Sequence, residues 1–218
     1  MAGLVVIQKA SLGRLVHDRW PYLCGVLALP VLVLFIFAAT LVTPGYSHVT
    51  DTISHLGGQE GPHPWVFNTG FFLGGLLVLG FAYGFALQFG ASAWGKLLTA
   101  LLVINAATAI FAAVFESAWG AAPLNGSVLG DSIHEIAARA SFTALTTAMV
   151  LFPAVVWSNP QWRGVLWLFQ TLAISAVILG LLFLFEAFSD YSGVVQRFFF
   201  AMCGIWLEVV SLQLLRAR

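Results

Sequence analysis

The run YLCGVLALPVLVLFIFAATLVT, residues 22–43, carries no charged side chain and is long enough to cross a bilayer as one helix. A hydrocarbon core about 30 Å thick asks for about 20 apolar residues at a rise of about 1.5 Å each, and this stretch supplies them. The same criterion, carried outward along the chain, predicts five further spans at about 64–89, 96–117, 134–157, 164–187 and 194–215. Outer-membrane barrel strands are about ten residues long and alternate in polarity; these runs are about twice that length and do not alternate. The expected fold is an all-α integral membrane protein, a six-transmembrane-helix bundle forming a single domain over 1–218. Pro30 in the first span predicts a kink, and Gly70, Gly74, Gly80 and Gly84 in the second form two small-xxx-small pairs for close backbone approach.

Composition agrees: 60% of the residues are hydrophobic and 8% charged, a balance that a water-soluble core of this size does not need. The formal net charge of zero hides an asymmetry. Lys9, Arg14, Arg19, Lys96, Arg163, Arg216 and Arg218 fall on one side of the alternating spans, and Asp51, Glu60, Glu116, Asp131, Glu135, Glu186 and Asp190 on the other. By the positive-inside rule both termini are cytoplasmic and the chain is a multi-pass protein of the cell membrane. Residues 1–21 read as an interfacial segment with Leu4, Ile7, Leu12 and Leu15 toward lipid, and Met1–Arg19 has no pattern of a cleavable signal. Such a charge distribution leaves no basic surface for nucleic acid. Cys24 and Cys203 lie inside spans and read as inert packing thiols. Trp20, Trp65, Trp94, Trp119, Trp157 and Trp162 fall near interfaces, the aromatic belt, whereas Trp167 and Trp206 lie deeper.

The first outer loop, PGYSHVTDTISHLGGQEGPHPW over residues 44–65, gathers three histidines beside two carboxylates and no Lys or Arg. Read as a short amphipathic helix from about His48 to Leu56, ended by Gly57 in a left-handed cap, it puts Val49, Ile53 and Leu56 on one stripe. His48, Asp51, Thr52 and His55 fall on another, facing whatever opens between the helix ends. Other polar residues map to the same level. Asn68 lies just inside the second span, Glu116 ends the third, and Ser132 with Glu135 forms a capping-box pattern opening the fourth. Glu135 also precedes Arg139 by four residues, the favoured ion-pair spacing. His134, read in the first turn of that helix at the outer membrane boundary, suits a base or a ligand. Arg197, a cation on the acidic side, calls for a carboxylate partner, with Glu186, Asp190 and Glu116 as the candidates. Deeper in the membrane, Asn105 reads as interhelical glue and Glu208 as an intramembrane acid apart from the outer cluster.

Several short motifs carry a likeness. Ile53-Ser54-His55-Leu56-Gly57 in the first outer loop and Phe67-Asn68-Thr69-Gly70 opening the second span are two of them. Gly130 and His134 with Ala137, Ala138 and Ser141-Phe142 mark the fourth span, and Gly193-Val194-Val195-Gln196-Arg197 opens the sixth. In these the chain resembles the prokaryotic six-helix membrane family catalogued as domain of unknown function 998. The resemblance implies a six-helix bundle over nearly the whole chain and supplies no activity. Where the family has an acid or a small residue after the loop serine, this chain has His55. The resemblance thus points to Ser54, Asn68, His134 and Arg197 rather than to His55 as a shared metal ligand.

These residues predict a membrane-embedded enzyme with a polar acid/base site at the extracytoplasmic interface, acting on a lipid or isoprenoid-like substrate. His134, Asp51 and Glu116 are its candidate proton-exchanging groups. Arg197, Asn68, Ser54 and His55 are its candidate substrate contacts, and no cofactor is required. A proton-initiated terpene-type cyclase is one form of this reading, with aromatic faces stabilising carbocations. A metal-dependent hydrolase with zinc on His48, Asp51, His55 and His134 is an alternative, although no HExxH pattern is present. A non-catalytic subunit or scaffold, with a membrane-protein partner, is the other. Transport is disfavoured, because polar residues thin out beyond the outer third.

Overall fold

The computed structural model describes residues 12–58, 62–115 and 128–216, with side chains from Arg19 onward and, after the second gap, from Ile133 onward. Among the described residues every regular element is helical: α1 (Leu12–Leu41), α2 (Pro64–Phe89), α3 (Ala93–Val114), α4 (Val128–Leu151), α5 (Leu166–Leu184) and α6 (Ser192–Arg216). One further turn, Pro153–Val156, extends α4, and three 3-10 turns lie at Ile53–Gly57, Pro160–Trp162 and Ser189–Tyr191. Six helices are long and apolar enough to span a membrane, among them Arg19–Leu41, Ile133–Val156 and Ser189–Arg216. The protein is therefore a multi-pass membrane protein. Observed ends differ from the expected ones by a few residues, for local reasons. The third span starts at Ala93 rather than Lys96 because the Ser92 hydroxyl accepts the Gly95 N–H at 2.9 Å and caps the helix. Helix α1 runs unbroken through Pro21 and Pro30.

The helices pack in chain order, α1 on α2, α2 on α3, α3 on α4, α5 on α6, and α6 closes the ring on α1. The α4–α5 seam is the sparsely packed one. Close approach to α1 uses Gly70, Gly80 and Gly84 of α2, where an added methyl would collide with Phe35, Cys24 and Pro21 respectively. Gly74, the expected partner of Gly70, instead faces open space. Asn105 is the interhelical bond expected of it: its amide donates to the Ser141 hydroxyl and carbonyl at 2.8 and 3.0 Å, and Ser141 Oγ returns a bond to the Asn105 carbonyl at 3.1 Å.

The two ends of the bundle differ. Toward the chain termini the interior is solid: the Phe152 ring lies 5.0, 5.3 and 5.4 Å from Phe169, Trp162 and Trp206, all close to edge-on. Trp162, expected in an interfacial belt, is buried here, because the 3-10 turn Pro160–Trp162 folds its indole under the core. Trp206 is likewise buried, whereas Trp167 is exposed on the surface of α5. At the opposite end, where the first loop lies, packing is looser and the polar residues gather.

Candidate functional site

The first loop does not form the expected amphipathic helix. Residues 47–51 make one turn, closed by the Asp51 N–H on the Ser47 carbonyl at 2.9 Å, and the chain then passes through Thr52 into the 3-10 turn Ile53–Gly57. Asp51 is the reason: its carboxylate accepts the Ser47 N–H at 2.8 Å and the Thr50 hydroxyl at 3.0 Å, the bonding of a turn rather than of a helix interior. Gly57 is not a left-handed cap either, since the described residue with a positive-φ glycine backbone is Gly45. Gly57 is glycine because a methyl there would meet Asn68 Oδ1 and the Phe67 ring within 2.5 Å. Asn68 secures that contact, its amide reaching the Gly57 carbonyl at 3.4 Å.

The loop is stitched to the start of α6. Arg197 finds no carboxylate among the described residues; its Nη1 donates to the carbonyls of His48 (2.9 Å), Asp51 (3.0 Å) and Gly193 (2.8 Å), and its Nη2 to the Tyr46 hydroxyl. The expected Arg197 ion pair is thus replaced by a cage of backbone oxygens, which the kinked turn at residues 47–51 presents toward the helix. The guanidinium carbon also lies 5.4 Å from the Tyr46 ring centre. The Tyr46 hydroxyl passes its own hydrogen to the Thr52 carbonyl at 3.1 Å. Burial pushes the Tyr46 phenol up, further than the adjacent Arg197 pulls it down, so it stays protonated. Ser192 Oγ donates to the Thr50 carbonyl, Val194 N–H to the Val49 carbonyl, and Ile53 N–H to Gln196 Oε1. Gly193 permits this approach, since a methyl on it would fall 2.4 Å from the Asp51 carbonyl oxygen.

Beside this latch, the α4–α5 seam opens into a cavity of about 680 Å³, within the range that holds drug-sized ligands. Its wall toward the first loop comprises His134, Thr52, Ser54 and Gln196, and its rim includes Glu135, Arg139 and Glu186. Farther in, the lining turns apolar with Phe142, Phe199, Ala176 and Gly180, relieved by Thr143, Thr146 and Thr147. Thr147 lies roughly 18 Å along α4 from Glu135 at about 1.5 Å per residue, so the cavity reaches about halfway across a bilayer. His134 is buried, and its Nδ1 is 2.9 Å from the carbonyls of both Ala112 and Phe115 at the end of α3. Two acceptors there require the ring hydrogen on Nδ1, which leaves Nε2 as the basic nitrogen. Behind the ring a void of about 10 Å³ is bordered by His134, Ser54 and Ser141, room for about one water molecule.

The structure therefore divides the candidates the sequence had put at one level. His134 and Ser54 meet at the cavity. Arg197, Asp51 and Asn68 hold the loop, and His48 and His55 flank the Tyr46 ring at 5.4 and 6.1 Å between centres. Glu116 lies outside the described residues, as does the side chain of Asp131. Among the described residues no three His, Cys, Asp or Glu side chains gather as an ion would need, so His48, Asp51, His55 and His134 do not form one group. Glu135 does pair with Arg139, at 3.3 Å. Glu208 is half-buried on α6 and is not part of the cavity lining. Sequence reasoning missed Tyr46 and the threonines; the i, i+3, i+4 spacing of Thr143, Thr146 and Thr147 on an otherwise apolar helix was the available signal.

A family model whose description records no activity matches residues 26–213. No curated protein and no solved structure matches the chain.

Proposed function

The chain belongs to the family described as protein of unknown function (DUF998), and from the geometry of its own cavity we propose a membrane-embedded enzyme that acts on the polar end of a lipid or isoprenoid-like molecule. The apolar part enters sideways between α4 and α5 and lies against Phe142, Phe199 and Ala176. The polar end then rests among Ser54, Thr52, Gln196 and His134. One observation carries the reading: a buried imidazole, oriented through Nδ1 by two carbonyls, stands at one end of a mostly apolar cavity in the α4–α5 seam. That arrangement leaves Nε2 to take a proton from a hydroxyl or water in contact with it. Phe142, Phe183, Phe188 and Phe199 supply the aromatic faces on which the cyclase form of this reading would draw.

Sidedness follows from charge. Arg19, Lys96, Arg163 and Arg216 lie at the end of the bundle that holds the termini, while at the first-loop end Arg197 is enclosed by carbonyls and Arg139 is paired. The positive-inside rule then makes the termini cytoplasmic and opens the cavity at the extracytoplasmic face of the cell membrane.

The test is a pair of substitutions at His134. His134→Gln retains an N–H donor for the α3 carbonyls but has no titratable nitrogen; His134→Ala retains neither. Purified protein in nanodiscs of total lipid extract is incubated and its lipids are followed by mass spectrometry. The expected result is a wild-type conversion that both variants lose, with His134→Gln melting within about 1 kcal/mol of wild type. Wild-type turnover by His134→Gln overturns the assignment.

A further inference from the structure

At the end of α5 the chain turns through Glu186, whose φ of 51° is the one positive value at a non-glycine among the described residues. The Glu186 N–H bonds the Phe183 carbonyl at 3.2 Å and the Ala187 N–H the Leu182 carbonyl at 3.1 Å, a helix closure whose left-handed position is normally glycine. Here a carboxylate occupies it and borders the cavity. Its side chain makes no ion pair or hydrogen bond among the described residues.

The rest of the rim sets its charge. Across the opening Arg139 borders the same cavity, its Nη2 resting on Glu135 at 3.3 Å with both side chains largely exposed. Arg197, the other cation at this end, has its guanidinium committed to three carbonyls and the Tyr46 hydroxyl. The described rim thus holds two carboxylates and one guanidinium, with Glu186 the acceptor left over. An anionic headgroup would meet surplus negative charge. A headgroup bearing an N–H cation would find an acceptor in Glu186, and a phosphate next to that cation would face Arg139.

Resting on the lipid-handling reading above, the geometry points to a primary ammonium group as the feature recognised at the cavity mouth: the amphiphile is an aminophospholipid, its ammonium on Glu186 and its phosphate on Arg139. A trimethylammonium headgroup has the charge and lacks the N–H donors, so phosphatidylcholine is discriminated against. Phosphatidylglycerol carries the phosphate without the cation.

The experiment counts lipids retained by the intact 218-residue chain from nanodiscs containing equal phosphatidylethanolamine, phosphatidylcholine and phosphatidylglycerol. Wild type is expected to favour phosphatidylethanolamine about fivefold, a partly exposed charge-assisted bond being worth about that much. Glu186→Gln and Glu186→Gly should each bring the ratio near one, and Arg139→Gln should weaken retention of all three lipids, since each carries the phosphate. Glu186→Gly also relieves the left-handed backbone, so it should melt no lower than wild type, which separates lost recognition from lost folding. Equal retention of the three lipids by wild type, or an unchanged preference in Glu186→Gln, overturns the inference and leaves the lipid cavity standing. Retention of none overturns both.

Discussion

Replacing Gly193 by alanine is the sharpest test of how the first loop is held. The new methyl carbon would stand 2.4 Å from the Asp51 carbonyl oxygen, 2.9 Å from that of His48 and 2.8 Å from Arg197 Nη1. Two of these atoms are loop backbone and cannot rotate away, so the loop must withdraw by about 1 Å to restore van der Waals contact. That displacement stretches the Arg197 bonds to His48 and Asp51, now 2.9 and 3.0 Å, and the Val194–Val49 bond, now 3.3 Å, beyond hydrogen-bonding range. At about 1 kcal/mol for each of the three, offset by about 1 kcal/mol of improved helix propensity, the net loss is about 2 kcal/mol. Thermal unfolding in detergent should register it. Hydrogen exchange should show the Val194 and Ile53 amides losing protection while the aromatic core around Phe152 keeps its own. Gly74→Ala is the control: an added methyl there meets nothing within 4 Å, so the same propensity gain should raise stability by up to about 1 kcal/mol. A Gly193→Ala protein as stable as wild type, or a Gly74→Ala protein equally damaged, refutes the reasoning.

Tyr46→Phe removes the hydroxyl that links Arg197 to the Thr52 carbonyl and should cost about 1 kcal/mol. Because burial raises the wild-type phenol above its ordinary value near 10, its contribution is fully present below that pH and is lost as pH rises through the folded value. Melting curves of wild type should therefore fall above about pH 10, and those of Tyr46→Phe should lack this decline. Asn105→Leu deletes the bonds to Ser141 and should lower stability by about 1 kcal/mol, as interhelical polar contacts in membranes do. Lipid retention should be unaffected, since Asn105 does not border the α4–α5 cavity.

Much of the fold was legible because crossing a bilayer is a demand on local composition. The span at Pro64–Phe89 was found to the residue, its start fixed by proline at the first helical position. The loop was misread because periodicity alone places Asp51 on a polar helix face, whereas its carboxylate folds back on the Ser47 N–H. Arg197 was misassigned for a related reason. A sequence displays its acids, and charge balance nominates Glu186 or Asp190, but backbone carbonyls turned toward a guanidinium have no letter of their own. Four of the residues that the motifs single out, Gly57, Asn68, Gly193 and Arg197, prove to be the means by which a loop is pinned to two helices. Others of the motif residues, Ser54, His134, Ala138, Phe142 and Val195, border the cavity, and Gln196 reaches both regions.

By itself the sequence determined that six helices cross the membrane, roughly where each begins and ends, and which residues are too polar to face lipid. Each of those follows from the transfer free energy of short contiguous stretches, a property summed along the chain. Tertiary structure decided which seam of the ring stays open, which polar groups satisfy one another and which border the open cavity. Those outcomes depend on the shapes of side chains far apart in sequence, on how the aromatic rings around Phe152 fill one end of the bundle while α4 and α5 part at the other.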